Sequence, residues 1–410
     1  MRVLLLLISF SLSFSLTLEE AKRLALENQL EVVKGELDLR KLEERIREAK
    51  GGILPRINLT ATYIRWDRNY ISAFVPPDKY SATLTLNQSL FDRVVWTALE
   101  LARTSRELQE LVLGDVRQTV LAEVEKLFWA VLLKREILRE KERSLTYWEN
   151  YYLMVKEKYE KGVVPRFEFL RARAQFRQAR ADLIRAQSDL RASLNSLKSF
   201  LGLTGEVSVE GRLLKVDIPS GDPYRLLEEN NPTLKVLRKT LELRRLTVEA
   251  RRSEFYPRLS FFFNYNWENI MDFTNGRLKE DFRHGYNLGL RLELPLFEGG
   301  SRIARVAQEE LERVKVDREL EFTRRKLLNE LETLLARIRS AEEEIKARED
   351  TLLAAEESLR FATERYAYGV GSQVELLDAR RNYESAKLLY LESIYAYNSL
   401  VADLKRMLGL

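Results

Sequence analysis

Residues 286–300 read YNLGLRLELPLFEGG, and this stretch decides the fold of the chain. Leucines at alternate positions from Leu288 to Leu294 predict a strand with one apolar and one polar face. Gly299 and Gly300 end the strand, and no proline occurs in the 70 residues from 299 to 368. At about 1.5 Å per residue, a helix of that length extends roughly 100 Å. The chain is therefore predicted to be organised around a strand that leads into a very long helix.

This helix carries an apolar seam whose members follow each other at intervals of three and four, broken only at Arg348: Leu327, Leu331, Leu334, Ile338, Ala341, Ile345, Leu352, Ala355, Leu359, Ala362 and Tyr366. The heptad pattern predicts coiled-coil packing. The turn 369–372 (GVGS) interrupts the seam, which resumes from Leu376 to Met407. Two heptad helices joined by a short glycine turn predict an antiparallel hairpin.

The same unit occurs twice in the chain. Residues 201–203 match 408–410, both LGL, at an offset of 207, and Tyr159 and Gly162 match Tyr366 and Gly369 at the same offset. The seam of the second half, shifted back by 207, again falls on apolar residues. Self-similarity of this kind predicts two tandem structural repeats.

The predicted boundaries follow the repeat. The first repeat, 16–203, contains a helix over 17–50, a β-hairpin over about 53–91, a long helix over about 92–160 and a return helix over about 166–201. Residues 204–222 are a linker. The second repeat, 223–410, contains a helix over 223–253, a hairpin over about 257–297, a long helix over about 299–368 and a return helix over about 373–408.

Residues 1–15 have the pattern of a secretory signal peptide. Arg2 precedes an apolar run, and Ser13 and Ser15 place small side chains at the −3 and −1 positions of a cleavage site before Leu16. The alternative is an N-terminal membrane anchor, but the run is shorter than the roughly 20 residues that a spanning helix needs. We expect the chain to be exported.

Composition excludes several classes of function. The absence of cysteine excludes disulfides and thiol catalysis, and a net charge of +5 without a dense basic run argues against nucleic-acid binding. The single histidine, His284, is expected in the loop before the last strand. No nucleophile–base arrangement is evident. The sequence predicts a non-enzyme without a cofactor or a metal.

The four predicted strands are each about 10–13 residues long, the length of a tilted transmembrane β-strand. Aromatic residues at the loop ends of the hairpins suggest a girdle at a membrane–water interface, formed by Tyr63, Trp66, Tyr80, Tyr265, Trp267 and Tyr286. The alternative is two ordinary amphipathic hairpins packed on a core. Four strands cannot close a membrane barrel, which needs about eight, so the barrel reading requires several chains.

These features together resemble the TolC-like outer-membrane efflux proteins. The resemblance rests on the PLFEGG junction at 295–300, weaker as SLFD at 89–92, and on two turns. In the turns, Tyr159, Gly162, Glu168, Leu170 and Ala172 parallel Tyr366, Gly369, Glu375, Leu377 and Ala379. It covers residues 17–410. It implies a mainly α fold with a transmembrane β-barrel, in which a homotrimer forms a twelve-stranded barrel that continues into a periplasmic α-helical coiled-coil tube.

The resemblance also implies partners and sites. The partners are a periplasmic adaptor protein, an inner-membrane pump and outer-membrane lipid, with the chain as the exit duct of a tripartite pump or a type I secretion system. The adaptor-contacting tips are Gly162, Val163, Val164 and Pro165 in one turn and Gly369, Val370, Gly371 and Ser372 in the other. The periplasmic entrance gate is Asp378, Glu375, Glu168 and Tyr366. At Gly371 the chain departs from the family, whose well-studied members have an arginine there.

Two of the gate residues, Glu375 and Glu168, also have a purely structural interpretation. Glu375 follows Ser372 by three residues, which is the spacing of a capping box, and Glu168 favours the positive end of its helix. Asp378 lies one turn after Glu375 and has no capping role. At the level of the whole chain, the alternative function is a secreted or periplasmic coiled-coil scaffold or adhesin without channel activity.

Overall fold

The computed structural model describes residues 14–274 and 277–410, and its two halves have the same order of elements. The first half comprises β1 (Phe14–Leu16), α1 (Leu18–Asn28), α2 (Leu30–Gly51), β2 (Arg56–Arg65), β3 (Asp78–Phe91), α3 (Arg93–Glu160) and α4 (Arg166–Leu201). After β4 (Val207–Val209), the second half comprises α5 (Pro223–Asn230), α6 (Pro232–Ser253), β5 (Arg258–Thr274), β6 (Arg277–Glu293), α7 (Ser301–Ala367) and α8 (Gln373–Leu408). The predicted long helices and return helices are confirmed.

The first helix of each half is broken, and the prediction of single helices over 17–50 and 223–253 is wrong. In the first half Asn28 donates its side-chain amide to the carbonyl of Leu201 (3.0 Å), and the amide of Gln29 binds the carbonyl of Phe200. In the second half Asn231 precedes Pro232 and donates to the carbonyl of Met407 (2.8 Å). These amides satisfy carbonyls at the ends of α4 and α8, which have no partner within their own helices. In each half, the break in the first helix therefore places a side-chain amide against the free carbonyls at the end of the return helix.

The four longer strands form one antiparallel sheet in the order β2-β3-β5-β6. Residues directly opposite each other share a face of a sheet. One row across the four strands is Ile57, Leu86, Phe263 and Leu288, and the row beside it on the other face is Asn58, Thr85, Asn264 and Asn287. The sheet therefore has an apolar face and a polar face, as the alternation predicted.

Within residues 258–267 of β5, Phe262 is the one large apolar residue that falls on the polar face, and the structure gives a reason. It lies opposite Gly289, and a β-carbon at that glycine would come within 2.9 Å of the phenyl ring. The ring occupies the space that a side chain at 289 would need. An aromatic side chain that covers a glycine on a neighbouring strand supports the pairing of the two strands.

The second hairpin is longer than the sequence indicated. β5 and β6 each contain 17 residues and continue past Trp267 and Tyr286, with pairing from Asn269–Phe282 to Thr274–Arg277. Polar contacts across the strands hold this extension, including an ion pair between Asp272 and Arg283. The expectation that His284 lies in a loop is wrong. It lies within β6 opposite Trp267, and its Nδ1 is 3.0 Å from the hydroxyl of Tyr265.

The described chain divides into two compact units. One draws on the described part of Met1–Gly35, on Val112–Leu234 and on Thr323–Leu410, and it contains both helix turns. The other is formed by Glu36–Leu111 and Lys235–Phe322, and it contains the sheet. Seam residues such as Leu331, Ile338 and Tyr397 are buried as predicted.

The predicted signal peptide and the predicted linker remain to be compared with the structure. Residues 1–13 of the predicted signal peptide lie outside the described residues, and β1 pairs in parallel with β4 of the linker. Among the helices that the structure describes, none combines the length and the apolar character needed to cross a lipid bilayer.

Candidate functional site

The first helix turn joins α3 to α4. Gly162 adopts a left-handed conformation (φ 71°), which a residue with a β-carbon rarely tolerates, and the amide of Val163 donates to the carbonyl of Lys158 (2.8 Å). Pro165 is the N-cap of α4 and makes no side-chain hydrogen bond, while the amide of Glu168 donates to its carbonyl (3.1 Å). Val163 is exposed at the tip and Val164 is half-buried.

The second turn joins α7 to α8 by a similar route with different capping. Gly369 is left-handed (φ 76°), and the amides of Val370 and Gly371 both donate to the carbonyl of Arg365 at 3.0 Å. Ser372 is the N-cap of α8, and its hydroxyl accepts a hydrogen bond from the amide of Glu375 at 3.1 Å. The N-cap at Ser372 is as predicted, but the capping box is only half formed, because the Glu375 carboxylate pairs with Arg365 and not with the amide of Ser372.

The departure at Gly371 lies in a closely packed part of the turn. A β-carbon at this position would lie 3.0 Å from the Cβ of Arg365 and 3.0 Å from the amide nitrogen of Tyr366. Such contacts are tighter than ordinary packing allows unless the neighbours move. An arginine at 371 therefore requires the backbone at Arg365 and Tyr366 to shift by a few tenths of an ångström.

The charge that is absent at 371 is present at Arg365 instead. The Nε of Arg365 lies 3.1 Å from the carboxylate of Glu375. The side chain of Glu375 therefore forms an ion pair with α7, while its backbone amide is bound by Ser372. The ion pair reaches across the turn, so the side chain of Glu375 helps to join the two helices of this hairpin.

The remaining acidic residues of the predicted gate differ in exposure. Asp378 is exposed, and with Glu357 and Glu375 it lines a shallow groove between α7 and α8. Glu168, in the first turn of α4, is half-buried. The structure therefore brings Glu375 and Asp378 together on one hairpin and leaves Glu168 on the other.

Tyr366 belongs to an apolar cluster behind the two turns. The buried members come from all four long helices: Trp148, Tyr151, Val155, Ala172, Ala179, Ala362, Leu376, Leu377 and Ala379. The ring of Tyr366 packs against this cluster, 6.0 Å from the ring of Tyr151, and the ammonium of Lys158 lies 5.6 Å from it. Tyr366 thus connects the end of α7 with α3.

Two polar groups in this cluster are poorly satisfied. The hydroxyl of Tyr151 and both amide atoms of Gln373 are buried without a hydrogen bond of good geometry to any of the described residues. Burial raises the pKa of the Tyr151 phenol. The side chains of Tyr366 and Gln373 also act on this phenol, so the polar groups of the three residues lie together between α3, α7 and the start of α8.

Sequence reasoning missed the contribution of α3 to this site. Its aromatic residues Tyr147, Trp148, Tyr151 and Tyr152 make edge and stacked contacts with each other or with α4. Two pairs of adjacent aromatic residues within six residues of a heptad helix are a sequence signal that could have predicted a packing interface of large side chains. The buried Arg380, which packs on Tyr147, gave no such signal.

The predicted aromatic girdle lies on the sheet. Tyr63 and Tyr80 are opposite each other at the loop end of β2 and β3, with ring centroids 5.1 Å apart, and Trp66 follows β2 directly. Tyr265, Trp267 and Tyr286 lie within the longer β5–β6 hairpin, so their predicted position at a loop end is wrong. The role of these six residues at a membrane surface stays a prediction.

Comparison with known proteins places the chain in a class. A family model described as "Outer membrane efflux protein" matches residues 22–203 and 224–410. The outer membrane protein TolC of Salmonella enteritidis is 24% identical over 426 residues, covering 100% of this chain and 86% of TolC. The alkaline protease secretion protein AprF of Pseudomonas aeruginosa is 26% identical over 365 residues, covering 84% of this chain and 71% of AprF.

Solved structures show the same fold. CusC superposes with a TM-score of 0.80 at 19% identity, covering 96% of this chain and 92% of CusC. The open state of the MtrE outer membrane channel of Neisseria gonorrhoeae superposes with a TM-score of 0.79 at 19% identity, covering 96% and 88%.

The fold is that of solved outer-membrane channels. The chain belongs to the outer membrane efflux protein family. It is an outer-membrane protein with the function of an exit duct, and the coiled-coil scaffold considered above is not favoured.

Proposed function

We propose that three copies of this chain form a twelve-stranded barrel in the outer membrane and that their helices form the periplasmic part of the duct. The observation that carries the proposal is the strand order β2-β3-β5-β6. Among the strands of the described residues, β2 and β6 each pair on one side only. An unpaired strand edge in lipid leaves backbone N–H and C=O groups without hydrogen bonds, at a cost of several kcal/mol each.

The two faces of the sheet support a barrel that encloses water. The apolar residues of the edge strands are exposed, among them Leu59 on β2 and Leu290 on β6. The opposite face carries amides and hydroxyls that bind each other, such as Thr83 with Asn266 (2.9 Å) and Asn264 with Asn287 (2.8 Å). In a membrane barrel the apolar face contacts lipid and the polar face lines the lumen.

In this assembly, β2 of one copy pairs with β6 of the next. Membrane barrels have about eight strands or more, so a single copy with four is too small to close. The family resemblance favours three copies over two. The six aromatic residues Tyr63, Trp66, Tyr80, Tyr265, Trp267 and Tyr286 would then contact the lipid headgroup region.

The helix turns are the proposed periplasmic end of the duct. Gly162–Pro165 and Gly369–Ser372 contact a periplasmic adaptor, which connects the duct to an inner-membrane pump. Asp378, Glu375, Glu168 and Tyr366 form the entrance gate. The chain is exported by a signal peptide over 1–15, is built from two repeats over 16–203 and 223–410 joined by the linker 204–222, and conducts its cargo without catalysis.

The assembly is tested by the mass of the purified protein in detergent. We expect a protein mass of three chains after the detergent contribution is subtracted, each close to the 48.1 kDa of the full sequence. A single-chain mass, or recovery of the protein only from the soluble periplasm, would contradict the proposal.

A pair of variants tests the orientation of the sheet. Leu290→Arg introduces a charge on the apolar face, where it costs about 2–4 kcal/mol at the bilayer midplane, and we expect loss of the assembled form from the membrane fraction. Asn287→Arg is the matched control on the polar face of the same strand. Equal assembly of the two variants would show that the apolar face does not contact lipid.

A further inference from the structure

A buried arginine connects α8 to α3 about two turns away from the tip. Arg380 on α8 is 9% exposed. Its guanidinium carbon lies 4.7 Å from the ring centroid of Tyr147 on α3 and 5.4 Å from that of Tyr383 on α8. A cation within about 6 Å of an aromatic face is attracted by the ring, and more strongly so when water is excluded.

Carboxylates from both helices surround the same cation. The Nε of Arg380 donates to Glu384 on α8 (2.9 Å), and its Nη2 lies 3.9 Å from Glu140 on α3. The hydroxyl of Ser144, also on α3, donates to the same oxygen of Glu384 (2.6 Å). Glu140 and Ser144 are each 3% exposed. Thus α3 and α8 each contribute three side chains to one buried polar network.

This network joins α3 to α8 near the tip through direct polar contacts. Nearer the turn, Tyr151 and Gln373 are buried without good hydrogen bonds, and Glu375 is paired with Arg365 inside its own hairpin. Buried charges whose partners are removed are strongly destabilising, so the separation of α8 from α3 at Arg380 is opposed.

The other half of the chain lacks the network. The position 207 residues before Arg380 is Arg173 on α4, which is exposed. The positions that correspond to Glu384 and Glu140 are Arg177 and Ala347. The same residue type at the same position of the hairpin is therefore buried and paired in one half and solvated in the other.

We propose that Arg380 is the positioning residue that holds α8 against α3 and thereby restrains the periplasmic entrance of the duct. The proposal rests on the proposed function, because it assigns a cause to the closure of that entrance. It also accounts for an entrance gate that does not use an arginine at 371. Arg380 does not contact the cargo, and it acts through the position of α8.

Single-channel recordings in planar bilayers test the role of Arg380. Arg380→Met keeps the length of the side chain and removes its charge. We expect the ratio of open to closed time to rise roughly tenfold, which is within the usual range of coupling between sites. Arg173→Met is the matched control, and we expect it to behave as the unmodified protein. Arg380→Lys keeps a cation on the aromatic rings, and we expect it to restore part of the closure.

The outcomes separate this inference from the proposed function. If the unmodified protein forms channels and Arg380→Met gates as it does, the inference is overturned and the duct stands. If the unmodified protein forms no channels, the proposed function fails and the inference fails with it. Glu384→Gln provides a second way to weaken the network if Arg380→Met does not assemble. If neither variant assembles, Arg380 has a structural role only, and the inference is wrong.

Discussion

The two helix hairpins, α3/α4 and α7/α8, have similar turns but different interiors. Positions related by the offset of 207 residues carry Tyr147 and Ala354, Trp148 and Ala355, and Tyr151 and Ser358. The first hairpin thus supplies bulky aromatic residues where the second supplies small ones. The second hairpin supplies the acidic residue Asp378, where the first has Arg171.

The two hairpins therefore contribute different kinds of side chain to the contact between them. Aromatic side chains from α3 fill most of the space between the two hairpins. The first hairpin therefore contributes most of the apolar packing of this contact. The second hairpin is attached to α3 through Arg380 and through the contacts of Tyr366 and Gln373. We therefore expect mutations in the first hairpin to affect stability most and mutations in the second to affect gating most.

The largest expected effect is on stability. Trp148 is 4% exposed, so Trp148→Ala removes a large buried side chain and we expect the free energy of unfolding to fall by about 3–5 kcal/mol. At the matching position of α7, Ala355→Gly is expected to cost only about 1 kcal/mol, mainly from helix propensity. Denaturant unfolding followed by far-ultraviolet circular dichroism measures both. If both variants lost the same unfolding free energy, the two hairpins would not differ in their contribution to stability.

The next effect concerns conduction. In a trimer, Asp378 forms a ring of three carboxylates, and such rings select or block cations. We expect Asp378→Ala to weaken block by divalent cations or to raise the single-channel conductance. Arg171→Ala, at the matching position of α4, is the control. If the two variants have the same recordings as the unmodified protein, Asp378 is not part of the gate.

A smaller effect is expected from pH. Burial raises the pKa of Glu140, with Arg380, Arg143 and Lys387 opposing the shift and Glu384 adding to it. A folded-state pKa above the unfolded value adds stability below the unfolded pKa, and this stability is lost as the pH rises through the folded pKa. We expect unfolding free energy measured from about pH 4 to 8 to fall less in Glu140→Gln than in the unmodified protein.

Glu142 provides the control for that measurement, because it is exposed on the same helix. Glu142→Gln is expected to leave the pH dependence unchanged. A pH dependence that is the same with and without the Glu140 carboxylate would exclude its protonation as the cause.

Most of the fold could be predicted because its elements are periodic. The heptads from Leu327 to Tyr366 predict a helix, and the alternation from Leu288 to Leu294 predicts a strand. The structure has a helix and a strand at these places. The break at Gln29 could not be predicted, because it serves a carbonyl at the end of a helix more than 170 residues away. The break at Asn231 was missed although Pro232 marks it, since the residue before a proline is disfavoured in the helical conformation. The extension of β5 and β6 was missed because its pairs, such as Asp272 with Arg283, are polar and interrupt the alternation.

The candidate site could be predicted only in part, for the same reason. The turns were evident from Gly162, Gly369 and Ser372, whose roles are local. Arg380 stands next to Arg381 in the sequence, a pair typical of a solvated helix face. Its partner Glu140 is 240 residues earlier, and no local pattern connects the two.

Distances between copies test the division of roles between the two hairpins most directly. The chain contains no cysteine, so one spin label can be introduced at Val370 or at Val163, which are 69% and 68% exposed at matching positions of the two turns. In the assembled protein, we expect Arg380→Met to lengthen the distance between the Val370 labels by several ångströms and to change the distance between the Val163 labels far less. Unchanged distances at Val370, or an equal change at both turns, would contradict a restrained second hairpin beside a packed first one.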